Sequence, residues 1–269
     1  MTRQELIEQI RKKNSYLCIG LDTDIDLIPI HLRTNPDAVY EFNKHIIDAT
    51  ADLCVAYKIN TAFYEASGAR GWETMEKTVA YISSEHFKIA DAKRGDIGNT
   101  SAQYAKAFFD RMNFDAITVA PYMGEDSIKP FLDYVGKWTI LLGLTSNKGA
   151  NDFELQKIQD EYLFERVMKS ATGWGSRENL MFVIGATHAA QIKRARRSAP
   201  DHFFLIPGVG TQGGSLADVS ANAMNADVGI LVNISRAIIY SSALEDFADT
   251  ARSVALKYQQ QMSGYLNKF

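Results

Sequence analysis

The 269-residue sequence predicts a (β/α)8 barrel with a short N-terminal helix, a single domain over residues 1–269. Three observations carry that expectation. Eight short apolar or β-rich runs recur along the chain, separated by helix-compatible stretches, the alternation of a parallel sheet built from βαβ units. The runs are continuous rather than alternating, as strands buried on both faces are. Eight such units in about 250 residues is the size of this barrel. A doubly wound open sheet would want G-x-G-x-x-G after its first strand. The first run instead ends Cys18-Ile19-Gly20-Leu21-Asp22. No Pro/Gly/Ser-rich linker, low-complexity tract or shift of composition divides the chain, and its length leaves no room for a fused second catalytic domain.

Residues 4–13 open the chain with Leu6, Ile7 and Ile10 at helical spacing, a helix expected to cap one end of the core. Strand one is expected at 16–21, then a helix at 36–51; strand two at 53–59, helix 65–83; strand three at 87–90, helix 99–112. Strand four follows at 116–120 with helix 125–135, and strand five at 138–144 with helix 153–171. Strands six, seven and eight are expected at 180–185, 203–209 and 228–234, with helices at 188–198, 215–225 and 241–262.

Composition narrows the function classes. With 46% apolar and 23% charged residues, the chain has ordinary soluble globular composition. A net charge of −3 provides no global basic field, so no nucleic-acid partner is expected. The cluster Lys193, Arg194, Arg196, Arg197 reads as the outer face of a helix. Cys18 and Cys54 lie inside apolar runs and outside any C-x-x-C spacing, reading as small buried hydrophobes in a reducing compartment. The N-terminus has no apolar signal-peptide core and no run is long enough to span a bilayer. A cytoplasmic protein without a membrane partner is expected. His31, His45, His86, His188 and His202 are scattered, so no metal site is expected. Ser146 lacks a G-x-S-x-G elbow, which argues against a serine hydrolase.

In a barrel, the C-terminal ends of the strands and the loops after them form the active face. Strand one ends in Asp22, strand two carries Lys58, and strand three ends Asp91-Ala92-Lys93 with Asp96 beyond. If strand three runs on to Lys93, its period of two puts Asp91 and Lys93 on one face. A lone D-x-K is equally an ordinary ion pair at a strand end. Two lysines, three carboxylates and an arginine on one rim would be expensive without a function. Strand seven leads into Pro207-Gly208-Val209-Gly210-Thr211-Gln212-Gly213-Gly214, and strand eight into Ser235-Arg236. Barrels often bind phosphate in these two loops. Glycines let backbone N–H groups approach an anion, and arginine presents a planar donor fork. The residues alone thus describe a phosphate-anchored small-molecule site with an Asp–Lys pair across from it.

These segments resemble the orotidine 5′-monophosphate decarboxylase family. Asp91-Ala92-Lys93-Arg94-Gly95-Asp96-Ile97-Gly98-Asn99-Thr100 is similar to its D-x-K-x-x-D-I-x-x-T signature. Leu21-Asp22 resembles its first-strand L-D, Lys58 its second-strand lysine, and Ser146-Asn147-Lys148-Gly149 its S-x-x-G loop. Residues 207–214 resemble its P-G-[IV]-x-x-Q-G-G phosphate loop, and Arg236 its final arginine. The length and Thr145-Ser146-Asn147 resemble the longer bacterial subgroup.

The resemblance implies decarboxylation of orotidine 5′-phosphate to UMP and CO2, the last step of UMP biosynthesis, without a cofactor. It implies that Lys93 stabilises and protonates the C6 carbanion, with Asp91 and Asp96 holding it. Asp22 and Lys58 would bind ribose hydroxyls, Ile97 the substrate and Ser146 the pyrimidine edge, while Asp96 and Thr100 would stand in the partner subunit's site, Thr100 on the ribose. Pro207, Gly210, Gln212, Ser235 and Arg236 would surround the phosphate. A homodimer with shared active sites follows. Gly98 stands where many relatives have proline. Two rivals remain: a Mg2+-dependent sugar-phosphate decarboxylase of the same superfamily, and a non-catalytic nucleotide-phosphate sensor. The first would want an acid at the end of strand two, where this chain has Lys58.

Overall fold

Eight parallel strands close into a barrel in the computed structural model, which describes residues 1–187, 189–210 and 213–267. The strands are β1 (Leu17–Gly20), β2 (Ala56–Asn60), β3 (Phe87–Arg94), β4 (Ala116–Val119), β5 (Trp138–Leu144), β6 (Leu180–Ile184), β7 (Phe203–Pro207) and β8 (Ile230–Ile234). Each pairs with its neighbours in sequence, and β8 returns to β1 with Leu17 opposite Val232 and Ile19 opposite Ile234. All eight expected strands are present. The physical basis is the continuous apolar run: Leu17, Cys18 and Ile19 are all fully buried, as are Ile230, Leu231 and Val232. Inward side chains fill the barrel and outward ones meet the helices.

The helices are α1 (Arg3–Lys13), α2 (Ala38–Thr50), α3 (Thr61–Glu65), α4 (Gly68–Tyr81), α5 (Gly98–Ala105), α6 (Glu125–Leu132), α7 (Leu163–Ala171), α8 (Ala189–Ser198), α9 (Leu216–Ala223), α10 (Arg236–Ile239) and α11 (Phe247–Leu266). Helix α1 starts in a capping box: the Thr2 hydroxyl accepts from the Glu5 N–H and the Glu5 carboxylate accepts from the Thr2 N–H. Its Leu6, Ile7 and Ile10 are buried against the barrel base, as the spacing predicts. Cys18 and Cys54 are buried free thiols.

Three expectations need correction. The stretch 153–171 is helical only from Leu163. Residues 157–158 pair antiparallel with 161–162 around a turn in which Gln159 takes φ +60°. The 99–112 helix changes to π-helical geometry at Lys106–Arg111. The basic cluster of α8 is not uniformly an outer face. Arg196 turns to the barrel base and donates to the carbonyls of Ala199, Pro200, His202, Ala223 and Gly229. Arg194 pairs with Glu165 at 2.6 Å.

Candidate active site

The rim is built around the end of β3. On one side β3 stays in register with β2, Asn60 standing opposite Asp91. On the other side it slips: Ala90 faces Ile117 and Arg94 faces Val119. Asp91, Ala92 and Lys93 therefore stand opposite the single residue Thr118 of β4. Such a bulge re-aims side chains, and bulges gather next to active sites. Lys93 takes φ +46°, a left-handed conformation uncommon outside glycine. The side chains of Asp91 and Lys93 do meet, but through this bulge and not through the period of a regular strand. The displaced backbone is held by side chains. Arg94 Nη1 donates to the Ala92 carbonyl at 3.1 Å, while its guanidinium pairs with Glu65 and lies over the Tyr104 and Phe108 rings.

Charges alternate along the rim. Lys93 Nζ donates to Asp91 Oδ1 at 2.6 Å, Lys58 Nζ to Asp91 Oδ2 at 2.9 Å, and Lys58 Nζ also to Asp22 Oδ1 at 3.3 Å. Burial would raise the Asp91 carboxyl, but the Lys58 and Lys93 ammoniums outweigh it and hold it well below the usual carboxylate range. Burial would likewise lower Lys58, but Asp91 and Asp22 overcome it and keep the amine above its ordinary value. Lys58 is enclosed, whereas the Lys93 side chain is 51% exposed and free to meet a ligand.

Asp22 is set by the loop after β1. Its carbonyl accepts from the Tyr240 hydroxyl at 3.0 Å, and the Leu21 carbonyl accepts from the Tyr64 hydroxyl at 3.0 Å. Tyr64 belongs to a buried network in which Asn43 accepts from Thr23 and donates to Tyr64 and Thr78. A satisfied polar network of this kind rigidifies its surroundings.

The β7 and β8 ends form the opposite wall. A cavity of about 230 Å³ lies between Asp22, Lys58 and Asp91 on one side and Pro207, Ser235 and Arg236 on the other. The Arg236 side chain is exposed and makes no hydrogen bond or ion pair with any described residue; only its backbone carbonyl is engaged, accepting from the Tyr240 N–H. The Ser235 hydroxyl donates to the Gly20 carbonyl at 3.0 Å, tying β8 to β1. Gly210 takes φ +79°, and its N–H donates to the Gly214 carbonyl at 3.1 Å, so this amide is engaged within the loop. Gly214 has no room for a side chain: a Cβ would lie 2.5 Å from that of Ala186. Thr211, Gln212 and His188 lie outside the described residues.

Other expected site residues stand apart from the Asp–Lys chain. Asp96 is not ion-paired with Lys93; its Oδ1 accepts from the Ile97 N–H at 2.8 Å. Ile97 is 62% exposed and Thr100 is also exposed. Ser146 sits at the exit of β5, so close to β6 that a Cβ on Gly185 would lie 2.9 Å from its own. Glu154 folds back on that exit and accepts from the Thr145 N–H at 2.6 Å.

Sequence reasoning missed three residues. Asn60 and Asn233 line the cavity, and their places at strand ends were the available signal. Thr118 gave no signal, since a threonine inside Ala116–Val119 reads as an ordinary β-former. Among the described residues no group of three or more His, Cys, Asp or Glu is arranged to hold a metal ion.

Known proteins share this architecture. Residues 15–250 match the family described as Orotidine 5′-phosphate decarboxylase / HUMPS family. A protein of Parabacteroides distasonis named orotidine 5′-phosphate decarboxylase is 55% identical over 271 residues, covering 99% of this chain and 97% of its own. One of Christiangramia forsetii with the same name is 54% identical, with 100% of both chains covered. The solved structure of Leishmania donovani OMP decarboxylase superposes with a TM-score of 0.86 at 33% identity, covering 98% of each chain.

Proposed function

The chain belongs to the orotidine 5′-phosphate decarboxylase family, and from that premise we infer how its rim performs the reaction. It converts orotidine 5′-phosphate to UMP and CO2, the last step of UMP biosynthesis. Breaking the bond from C6 to the carboxylate leaves an electron pair on C6, in the plane of the pyrimidine. The Lys93 ammonium stabilises that pair as it develops, then transfers a proton to C6, and the neutral amine is reprotonated from water. The observation that carries this reading is the alternation Asp22–Lys58–Asp91–Lys93, with only Lys93 open to solvent. Its charges are positioned before substrate arrives, so little reorganisation is needed in the transition state.

The remaining roles follow the family resemblance. Asp22 and Lys58 contact ribose hydroxyls and Ser146 the pyrimidine edge. Arg236 holds the phosphate with Gln212, Pro207, Ser235 and the loop at Gly210. Binding energy at the remote phosphate lowers the barrier at C6 by closing the glycine-rich loop over the site. The whole chain acts as one barrel unit, in the cytoplasm.

Asp96, Ile97 and Thr100 complete the site of a second copy in a homodimer. The absence of an Asp96–Lys93 contact within the chain, and the exposure of Ile97 and Thr100, support this.

Loss of absorbance from orotidine 5′-phosphate tests the reaction, and turnover unaffected by EDTA is expected. Binding without turnover would favour the sensor reading, and EDTA sensitivity the Mg2+-dependent rival. Mixing Lys93→Ala and Asp96→Ala subunits tests the shared site. Hybrid dimers hold one intact site and regain activity; no recovery would return Asp96 to its own chain.

A further inference from the structure

The bulge at the end of β3 creates a local problem. Three β3 residues oppose one residue of β4, so the Lys93 N–H has no carbonyl partner in the ladder. Thr118 supplies one. Its Oγ1 accepts from the Lys93 N–H at 2.9 Å and lies 3.1 Å from Asp91 Oδ1. A backbone N–H can only donate, so the hydroxyl proton is directed to the carboxylate. Asp91 Oδ1 thus receives two donors, the Thr118 hydroxyl and the Lys93 ammonium at 2.6 Å, while Oδ2 receives Lys58. One hydroxyl fixes both ends of the pair: the carboxylate directly, and the lysine through its left-handed backbone. Thr118 is itself fully buried and does not line the cavity. It holds the groups that reach the ligand and does not reach it.

We propose that Thr118 is a positioning residue for decarboxylation, its hydroxyl locking the bulge that aims Lys93 and orienting the Asp91 carboxylate. The proposal rests on the reading of Lys93 as the proton donor. It goes further in naming the side chain on a neighbouring strand that sets the lysine's geometry. Serine in place of Thr118 keeps the hydroxyl, and valine keeps the shape and strand preference while removing it.

The test uses the full chain with Thr118→Val and Thr118→Ser, each alone and in a Lys93→Ala background. Decarboxylation rate, UMP affinity and Tm are measured together. Thr118→Val is expected to lower kcat by about 10- to 100-fold, the scale of one hydrogen bond to a charged group, with KM and UMP affinity within about twofold. Thr118→Ser is expected to stay within about threefold of the parent in kcat. In the Lys93→Ala background, removing the hydroxyl should change the residual rate by about twofold or less, because the two residues act as a unit.

Unchanged kcat in Thr118→Val overturns the proposal. So does an equal loss in both backgrounds, or a serine variant as slow as the valine one. If Thr118→Val does not fold, Thr118→Ala replaces it. Failure of both to fold while Thr118→Ser folds also overturns the proposal, leaving the hydroxyl a stability role. An inactive parent, or a fully active Lys93→Ala, overturns the underlying reading instead, so the two failures are distinct.

Discussion

The two ends of the barrel use charged side chains in opposite ways. At the base, charges are satisfied mainly by backbone carbonyls. Arg196 donates to five of them, Lys13 to those of Ala51 and Cys54, and Arg3 to those of Arg177 and Asp201 as well as to Asp227. At the rim, charges are satisfied by one another, and two of them, Lys93 and Arg236, open to solvent. A base charge closes loops and has nothing left to offer. A rim charge keeps capacity for a ligand. The difference teaches that burial of charge marks function only where the partners are themselves side chains facing a cavity.

If this division holds, rim substitutions alter kinetics with little change in stability, and base substitutions do the reverse. The largest effect is expected at Lys93→Ala: a loss of about 10³-fold or more in kcat, the scale of removing a key charge-stabilising donor, with Tm nearly unchanged. Near-parental turnover would break the comparison at its strongest point. Arg236→Ala is expected to raise KM about 10- to 100-fold, as the loss of a charge-assisted contact does. Added phosphite should partly restore turnover of a substrate lacking the phosphate; no rescue would argue against remote anchoring.

Arg196→Met is the counterpart at the base. Stranding several carbonyls is expected to cost about 3 kcal/mol or more, seen as a lower Tm, with kcat and KM retained. A kinetic defect there would erase the distinction between the two ends.

The smallest effect is in the pH dependence of stability. His202 is buried against Phe182, and neither ring nitrogen has a partner among the described residues. Burial first, then the Arg3 and Arg196 charges, push it down to about 4. Burial and Lys13 push His86 down to about 4 as well. A base held neutral in the fold but protonated when unfolded stabilises above its unfolded pKa, about 6.5. That contribution is lost as pH falls from about 6.5 toward about 4. Asp91, whose folded pKa is lowered, contributes above about 4 and loses that contribution below it. Tm should therefore drop first through the base histidines and later through the rim carboxylate. His202→Leu should flatten the upper slope; an unchanged slope would count against the assignment.

Much of the barrel was legible because a strand buried on both faces must be apolar throughout, and the runs of strands one, three and eight break into charge at their functional ends. Asp22, Asp91 and Arg236 were found by that break, and Lys58 as a charge inside an apolar run. The helix expected from residue 153 failed because a turn at Gln159–Asp160 interrupts a polar stretch whose pairing partner is local. Arg196 and Lys193 looked alike as members of one basic cluster. Which of them turns inward depends on where five carbonyls from separate loops converge.

By itself the sequence determined the order of strands and helices, the rim residues and the family, because these follow from local hydrophobic pattern and short motifs. Only the tertiary structure decided that Asp91 and Lys93 meet through a bulge, and that Thr118 completes it. It also decided that the Gly210 amide is engaged within its loop while Asp96 stands away from Lys93. Register between neighbouring strands and the partner of each orphaned N–H are set by long-range pairing, which no window of sequence contains.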